Sequence, residues 1–212
     1  MRSSCRAGTT ALLVALMAGC GGGGGEDNQD ALEYIGIEEG MLLEYDIDIG
    51  MAVPQEGKVE VVDIDLEYAD GEETYKVEMR QNNILTATRW YQVTSEGLFL
   101  LGEGVNEGAQ YVERSYVTPV KLVPYPLENE DGFPVQSWTT QTDVEEGGTE
   151  KHRFDNSGKE NVEVPKDTCE AFHLTHTRTI DETDTTTLEE YFSVGEWYVQ
   201  FEYPKDSIWQ LK

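Results

Sequence analysis

Apolar and acidic residues alternate strictly along parts of this chain, and that alternation most constrains its fold. In Leu43–Ile49 every second residue is apolar, and each residue between is acidic. Successive side chains of a β-strand point to opposite faces, so one face of such a segment lies in a core and the other in water. Val62–Tyr68 repeats the pattern. We therefore predict antiparallel strands with one solvated, acidic face.

Turn signals divide the chain into further strands. The step from Val61 to Val62 reverses the parity of the apolar positions and predicts a β-bulge. Asp70–Gly71 is a two-residue hairpin signal, and Asp155–Gly158 is a second predicted turn. Residues 118–134 carry four prolines and are expected to form an extended crossing segment. Further strands are predicted over residues 84–93, 97–102, 109–117, 136–145, 149–155, 159–165, 168–180, 184–194, 196–203 and 207–211.

These patterns predict an all-β fold. After the N-terminal segment, no window of twelve residues has a helical apolar stripe, so we expect few or no helices. All four Trp, eleven Tyr and six Phe lie after residue 19 and can fill a core. We expect residues 35–212 to form a single β-domain, built as one curved antiparallel sheet or an open barrel of about ten to twelve strands. An immunoglobulin-like sandwich stays open as an alternative.

The N-terminus has the three parts of a secretory signal. Arg2 and Arg6 supply positive charge, and Thr10–Met17 is an apolar stretch. This stretch is too short for a membrane-spanning helix, which needs about 20 apolar residues. Ala18 and Gly19 are the small residues that a signal peptidase accepts. An ordinary cleaved signal is one interpretation of this segment.

Met17-Ala18-Gly19-Cys20 resembles the lipobox of bacterial lipoproteins, with Met in place of the commoner Leu. The resemblance implies cleavage before Cys20, a diacylglycerol thioether on its sulfur and usually an acyl group on its amine. Two or three chains make a stable anchor. Residues 1–19 are then a lipoprotein signal peptide, and residues 20–34 are the acylated Cys20 with a flexible glycine- and acid-rich tether. Glycine rather than Asp follows the cysteine, which implies outer-membrane sorting in well-studied Gram-negative lipoproteins, on the periplasmic or surface face.

The acidity of the chain limits its partners. The sequence has 42 Asp and Glu against 15 Lys and Arg, a net charge of −27, and the signal peptide removes two arginines and no acid. Such a chain repels nucleic acid, which needs a basic footprint. It also repels an anionic membrane, so the lipid on Cys20 would be the membrane contact. Because Cys5 leaves with the signal and Cys20 is acylated, we expect no disulfide at Cys169 in the mature chain.

Three segments resemble a set of uncharacterised envelope lipoproteins related to the LolA/LolB half-barrel. They are Leu122–Leu127 with Trp138 after it, Val162–Pro165 leading to Cys169–Phe172, and Tyr191–Val199. The resemblance implies a curved antiparallel sheet that cups an acyl chain or another apolar ligand. It carries no family binding residue over to this chain.

No catalytic constellation stands out. His173 and His176 lie on one predicted strand and point to opposite faces, so we expect no shared metal, and His152 is expected to be isolated and solvent-facing or locally bonded. Cys169 could act as a thiol nucleophile, but a cysteine in an alternating strand is expected to be a small buried residue. Calcium binding or glycosidase chemistry by acidic residues stays open. The acidic clusters are Asp70–Glu73, Glu128–Asp131 and Asp181–Asp184.

We therefore expect a non-enzymatic, lipid-anchored envelope lipoprotein without metal, cofactor or catalytic residues, which binds an apolar ligand or an envelope partner. The aromatic sets pack the core or line the ligand site. They comprise Trp90, Tyr91, Trp197, Tyr198, Phe201 and Tyr203. The alternatives are a purely structural or interaction lipoprotein, a calcium-binding domain, and a periplasmic hydrolase with paired carboxylates, one of them with a raised pKa.

Overall fold

The computed structural model describes residues 25–69, 72–107, 110–165, 167–203 and 207–212. Over these residues the chain forms one helix and twelve strands. They are α1 (Gly25–Ile35), β1 (Leu42–Asp48), β2 (Gln55–Ala69), β3 (Glu72–Gln81), β4 (Ile84–Thr94), β5 (Gly97–Glu107), β6 (Gln110–Pro124), β7 (Ser137–Asp143), β8 (Thr149–Val164), β9 (Asp167–Ile180), β10 (Asp184–Ser193), β11 (Trp197–Tyr203) and β12 (Ser207–Leu211). The predicted all-β fold with few helices is confirmed, and the lipobox lies outside the described residues.

All twelve strands belong to one antiparallel sheet, in which strands adjacent in sequence lie side by side, except that β6 and β7 are its two edges. β1 also pairs with β12, with Tyr45 opposite Leu211. The two edge strands, β6 and β7, curve toward each other, so that Glu145 N donates to Ser115 O at 2.9 Å just beyond the end of β7. The sheet is thus nearly closed into a barrel, which confirms the predicted curved sheet.

The strand interruptions were predicted with mixed success. The register of β2 and β3 shifts between Val61 and Asp63, where the sequence predicts a bulge. Asp70–Gly71 itself lies outside the described residues. The predicted turn at Asp155–Gly158 is wrong, because β8 continues through it and the register with β9 shifts there instead. A positive φ of 96° at Gly158 lets the bulge form without breaking the strand.

The proline-rich segment differs from its prediction over its first part. β6 runs through Pro119 to Pro124, where we expected an extended crossing segment from residue 118. β6 is an edge strand, so a missing backbone N–H is tolerated, and its register with β5 is irregular just before Val120.

The helix is the element that the sequence did not predict. Residues 25–35 form α1, where we expected a flexible tether through residue 34. Ala31 and Ile35 are fully buried, and α1 packs against β4 and β5. Tyr34 O accepts a hydrogen bond from Gly195 N at 2.7 Å, in the β10–β11 turn. Because two apolar positions make too short a pattern to stand out, this helix depends on its contact with the sheet. The folded part therefore begins before residue 35.

The antiparallel hairpins place their turns alternately at two ends of the barrel. The helix end carries α1 and the turns at residues 95–96 and 194–196, and the distal end carries the turns at residues 82–83 and 181–183. Aromatic side chains fill the core, among them Tyr91, Trp197, Tyr198 and Phe201, each at most 3% exposed. Core packing of these aromatic residues is therefore confirmed.

Candidate functional site

A cavity of about 230 Å³ lies inside the barrel toward the distal end. Its lining combines aliphatic residues with charged and aromatic ones. The aliphatic residues are Leu100, Val105, Leu122, Ile180 and Leu188. The charged and aromatic residues are Arg89, Glu103, His152, His176, Arg178, Glu190, Tyr91, Tyr198 and Tyr203. Thr186, which is exposed, lies at the edge of this cavity. Such a space suits a small molecule with both polar and apolar parts.

Arg178 connects two buried carboxylates across the barrel. Its Nε and Nη2 donate to the two carboxylate oxygens of Glu150 on the neighbouring strand β8, each at 2.8 Å. Its Nη1 lies 2.6 Å from Glu103 Oε1 on β5, which is not a neighbour of β9 in the sheet. Glu103 and Glu150 are each 2% exposed. A single guanidinium therefore ties opposite walls of the barrel together.

The two carboxylates stay ionised although they are buried. Burial by itself raises the pKa of both carboxyl groups. Contacts with Arg178 outweigh this effect at both, and at Glu150 a hydrogen bond with His152 adds to them. The pKa of Glu150 is lowered to about 2, and the pKa of Glu103 is also lowered. Arg89 adds positive charge beside Glu103, with its Nε 3.7 Å from Glu103 Oε2. A glycosidase acid needs the opposite, a raised pKa.

A chain of two histidines leads away from Glu150. His152 Nε2 lies 3.1 Å from Glu150 Oε2, and His152 Nδ1 lies 3.1 Å from His176 Nε2. The other nitrogen of His176, Nδ1, lies 3.5 Å from Glu190 Oε1. Burial lowers the pKa of His152 in spite of the carboxylate beside it, which favours the neutral ring. The chain therefore begins and ends at a buried carboxylate.

The positions of the hydrogens on these two histidines follow from the ionised carboxylate of Glu150. Because ionised Glu150 can only accept, neutral His152 must carry its proton on Nε2, and its Nδ1 must accept. His176 then donates from Nε2, and in a neutral ring its Nδ1 would be an acceptor facing the carboxylate of Glu190. Neither His176 Nδ1 nor Glu190 Oε2 has a hydrogen-bond partner among the described residues.

The structure places the three sequence-predicted histidines differently. His173 and His176 point to opposite faces, as predicted, and His173 lies outside, 2.8 Å from Glu189 Oε2. His152 is locally bonded to Glu150, one of the two expected environments, but it is neither solvent-facing nor isolated. It is 1% exposed and contacts His176, which is 24 positions away in sequence. Only the three-dimensional pairing of β8 and β9 reveals that contact.

Cys169 is 1% exposed, as expected of a small buried residue. In the full-length chain Cys169 is disulfide-bonded. The predicted absence of a disulfide concerns the processed chain, and it stays a prediction, as does lipidation of Cys20, which lies outside the described part.

Sequence reasoning missed the charged residues of the cavity. Glu150 and His152 share the inward parity of Phe154 on β8, and Arg178 shares that of His176 on β9. Polar residues at core parity were therefore a usable signal. In the part of the chain that the structure describes, no group of three or more His, Cys, Asp or Glu is placed to hold a metal ion. No helix there is long and apolar enough to cross a membrane.

Comparisons with known proteins give limited information. No protein-family profile matches the chain, and no curated protein matches it significantly. A solved structure from Parabacteroides distasonis ATCC 8503, of a protein described as a lipoprotein, is similar with a TM-score of 0.45 and 10% sequence identity. The similarity covers 84% of this chain and 96% of that chain. At this identity and TM-score, it assigns neither a family nor a function.

Proposed function

We propose that this chain is a non-enzymatic, lipid-anchored bacterial envelope lipoprotein whose barrel binds a small amphipathic molecule. The lipobox resemblance at Met17–Cys20 supports the anchor and an envelope location, with the outer membrane as the expected site. The interior cavity supports ligand binding. The observation that carries this proposal is that the cavity combines aliphatic lining residues with buried polar atoms that have no hydrogen-bond partner among the described residues.

Four polar atoms of the cavity lining lack a hydrogen-bond partner among the described residues. They are Arg89 Nε, Glu103 Oε1, His176 Nδ1 and Glu190 Oε2. Glu103 Oε1 still has an ion-pair contact with Arg178 Nη1 at 2.6 Å. Leaving a buried polar group unpaired costs about 1–3 kcal/mol, and more when the group is charged. The other three atoms around one cavity are therefore unfavourable in a purely structural interior, whereas a ligand with a polar head would pair them. This refines the expected apolar ligand to an amphipathic one.

The size of the cavity restricts the ligand further. At about 230 Å³ it is smaller than the 300–1,000 Å³ typical of sites for drug-sized molecules. It has room for a small body or one short chain, not for a lipid with two acyl chains. The half-barrel resemblance favours a ligand enclosed by the sheet, and the volume favours a small one.

Native mass spectrometry of the gently extracted full-length protein tests the proposal. We expect a bound small molecule on the wild type. Leu122→Trp fills the cavity, since Leu122 lines it and is 6% exposed, and should abolish the bound mass. Val117→Trp on the same strand is the matched control, because Val117 is 61% exposed, and should retain it. Absence of a bound molecule from the wild type and the control would contradict ligand binding.

A purely structural or interaction lipoprotein is the second candidate. A protein partner could pair with an exposed strand edge, but the edges of β6 and β7 contact each other. Thr118 N donates to Thr142 Oγ1 at 2.9 Å, and Trp138 Nε1 donates to Lys121 O at 2.9 Å. These contacts occupy backbone groups that an added strand would need, so ligand binding is the function we favour.

A further inference from the structure

We propose that the cavity recognises a zwitterion on a small apolar body: an ammonium group bound by Glu190 and His176, and an anionic oxygen group bound by Arg89. This rests on the proposed function, ligand binding in the cavity, and adds the chemistry of the ligand. The two charged groups belong to one molecule, as they do in an apolar α-amino acid or an ethanolamine phosphate.

The ammonium follows from the end of the histidine chain. His176 Nδ1 faces Glu190 Oε1 at 3.5 Å, and in a neutral ring whose Nε2 donates to His152 that nitrogen is an acceptor. An ammonium carries three donors and no acceptor. It can therefore donate to His176 Nδ1 and to Glu190 Oε2, the two unpartnered acceptors at this end of the chain.

The surroundings of Glu190 also favour a cation. Its side chain is 8% exposed, and among the described residues its one contact with a basic side chain is the 3.5 Å contact with His176 Nδ1, a group that carries charge only when protonated. Glu103 and Glu150, by contrast, each contact a guanidinium. A buried carboxylate without a cationic partner is strongly unfavourable. Glu190 shares the cavity wall with three tyrosines, whose ring faces attract a desolvated cation. They are Tyr91, Tyr198 and Tyr203.

The anionic group follows from Arg89. Its Nε has no hydrogen-bond partner among the described residues, and Glu103 Oε2 lies 3.7 Å from that atom. One terminal nitrogen donates to Tyr91 OH at 3.4 Å, which holds the guanidinium against the cavity wall. Guanidinium groups fit planar carboxylate and phosphate oxygens well. A ligand carboxylate or phosphate would therefore supply the hydrogen-bond acceptor that Arg89 Nε lacks.

Arg89 and Glu190 both line this cavity of about 230 Å³. A ligand that contacts both residues within so small a volume must carry its ammonium and its anionic group close together. Aliphatic residues of the same lining, such as Leu122 and Leu188, would contact the apolar body.

Calorimetric titration of the detergent-extracted full-length protein tests this ligand chemistry. The probes are L-leucine and short-chain lysophosphatidylethanolamine as zwitterions, hexylamine as the cation, hexanoate as the anion and hexanol as the neutral body. We expect at least one zwitterion to bind at least tenfold more tightly than hexylamine, hexanoate and hexanol. The zwitterion that binds identifies the source, a free amino acid or a lipid headgroup.

Variants separate the two charged contacts. Glu190→Gln should lower the affinity for the zwitterion and for hexylamine at least tenfold and leave the affinity for hexanoate unchanged. Arg89→Met, checked for folding by circular dichroism, should lower the affinity for the zwitterion and for hexanoate and leave the affinity for hexylamine unchanged. If Arg89→Met does not fold, the affinity changes in Glu190→Gln alone test the inference. Glu189→Gln is the matched control. Glu189 lies beside Glu190 on β10 but points outward to His173 on β9, so this substitution should change no affinity.

Two other results would overturn the inference in distinguishable ways. Hexanol or hexanoate binding as tightly as both zwitterions, without loss in Glu190→Gln, would disprove the zwitterion while the proposed ligand-binding function survives. Failure of every probe, together with no bound mass on the native extract, would disprove both.

Discussion

Arg178 binds Glu150 through two parallel hydrogen bonds of 2.8 Å inside the barrel. The same guanidinium reaches Glu103 on the opposite wall at 2.6 Å. The distal half of the interior is therefore organised by ion pairs, in contrast to the aromatic packing elsewhere in the core. These ion pairs hold Arg178 and Glu103 in place in the cavity lining. The stability of the barrel and the shape of its cavity therefore depend on the same residues.

Arg178→Met should destabilise the protein strongly. It leaves two buried carboxylates without their shared guanidinium, and breaking a buried ion pair in this way costs about 3–5 kcal/mol. Arg153→Met is the control, because its pair with Asp155 is exposed, with side-chain exposures of 59% and 42%. That substitution should cost at most about 1 kcal/mol. Urea unfolding measures both, and equal losses would show that the interior network does not stabilise the fold.

Acid should weaken the protein through Glu150. The pKa of Glu150 is about 2 in the folded protein against an ordinary value of 4.5, so the unfolded chain takes up the proton first as the pH falls. The stabilisation by this carboxylate is complete above about pH 4.5 and is lost as the pH falls toward 2. The expected loss is about 3 kcal/mol.

Glu150→Gln isolates this contribution because it removes the titrating group. The difference in unfolding free energy between wild type and Glu150→Gln should shrink as the pH falls from 5 to 2. Urea titrations at several pH values measure that difference. A difference that stays constant over this range would show that the pKa of Glu150 is not lowered by folding.

Gly36→Ala should loosen α1 from the barrel. Gly36 has a φ of +76°, and an added Cβ would lie 2.5 Å from the carbonyl carbon of Gly195. Gly40 has a φ of +73° with nothing within 4 Å of the same added atom, so Gly40→Ala carries only the backbone strain. We expect Gly36→Ala to cost about 1–3 kcal/mol more than the control.

Urea unfolding and hydrogen exchange of the α1 amides measure that effect. Exchange should accelerate in Gly36→Ala and stay near the wild-type rate in Gly40→Ala. Equal behaviour of the two variants would mean that the helix does not depend on its contact with the β10–β11 turn.

Cys20→Ala should release the protein from the membrane. Without its thiol the chain cannot carry diacylglycerol, so the variant should appear in the soluble fraction with a wild-type circular dichroism spectrum. Intact mass spectrometry of the wild type should show the mass of the acyl groups on a chain beginning at Cys20. Cys169→Ala is the control and should remain membrane-bound. A membrane-bound or unfolded Cys20→Ala variant would contradict the anchor.

The strands could be predicted because parity is a local property. The alternation in Leu43–Ile49 already specifies which face is buried, and the parity change at Val61 specifies a bulge. Closure of the barrel could not be predicted, since the contact of Ser115 with Glu145 depends on the curvature of the whole sheet. Helix α1 could not be predicted either, because its buried face is short and gains its stability from the strands beneath it.

The site was harder to predict than the fold. Glu150 and His152 occupy core parity on β8, which marks them as buried polar residues. Their partners are far away in sequence, and Glu103 reaches Arg178 from a strand that is not a neighbour of β9 in the sheet. Such pairing depends on how the sheet curves, so the sequence shows the charges without showing which of them meet.

The most direct measurement is an experimental electron-density map of the cavity in protein extracted from its native membrane in amine-free buffer. We expect non-protein density within hydrogen-bond distance of Glu190 Oε2 and Arg89 Nε, with its apolar part against Leu122. A cavity that is empty or contains only water, with Arg89 Nε, His176 Nδ1 and Glu190 Oε2 all paired inside the protein, would contradict ligand binding at this site.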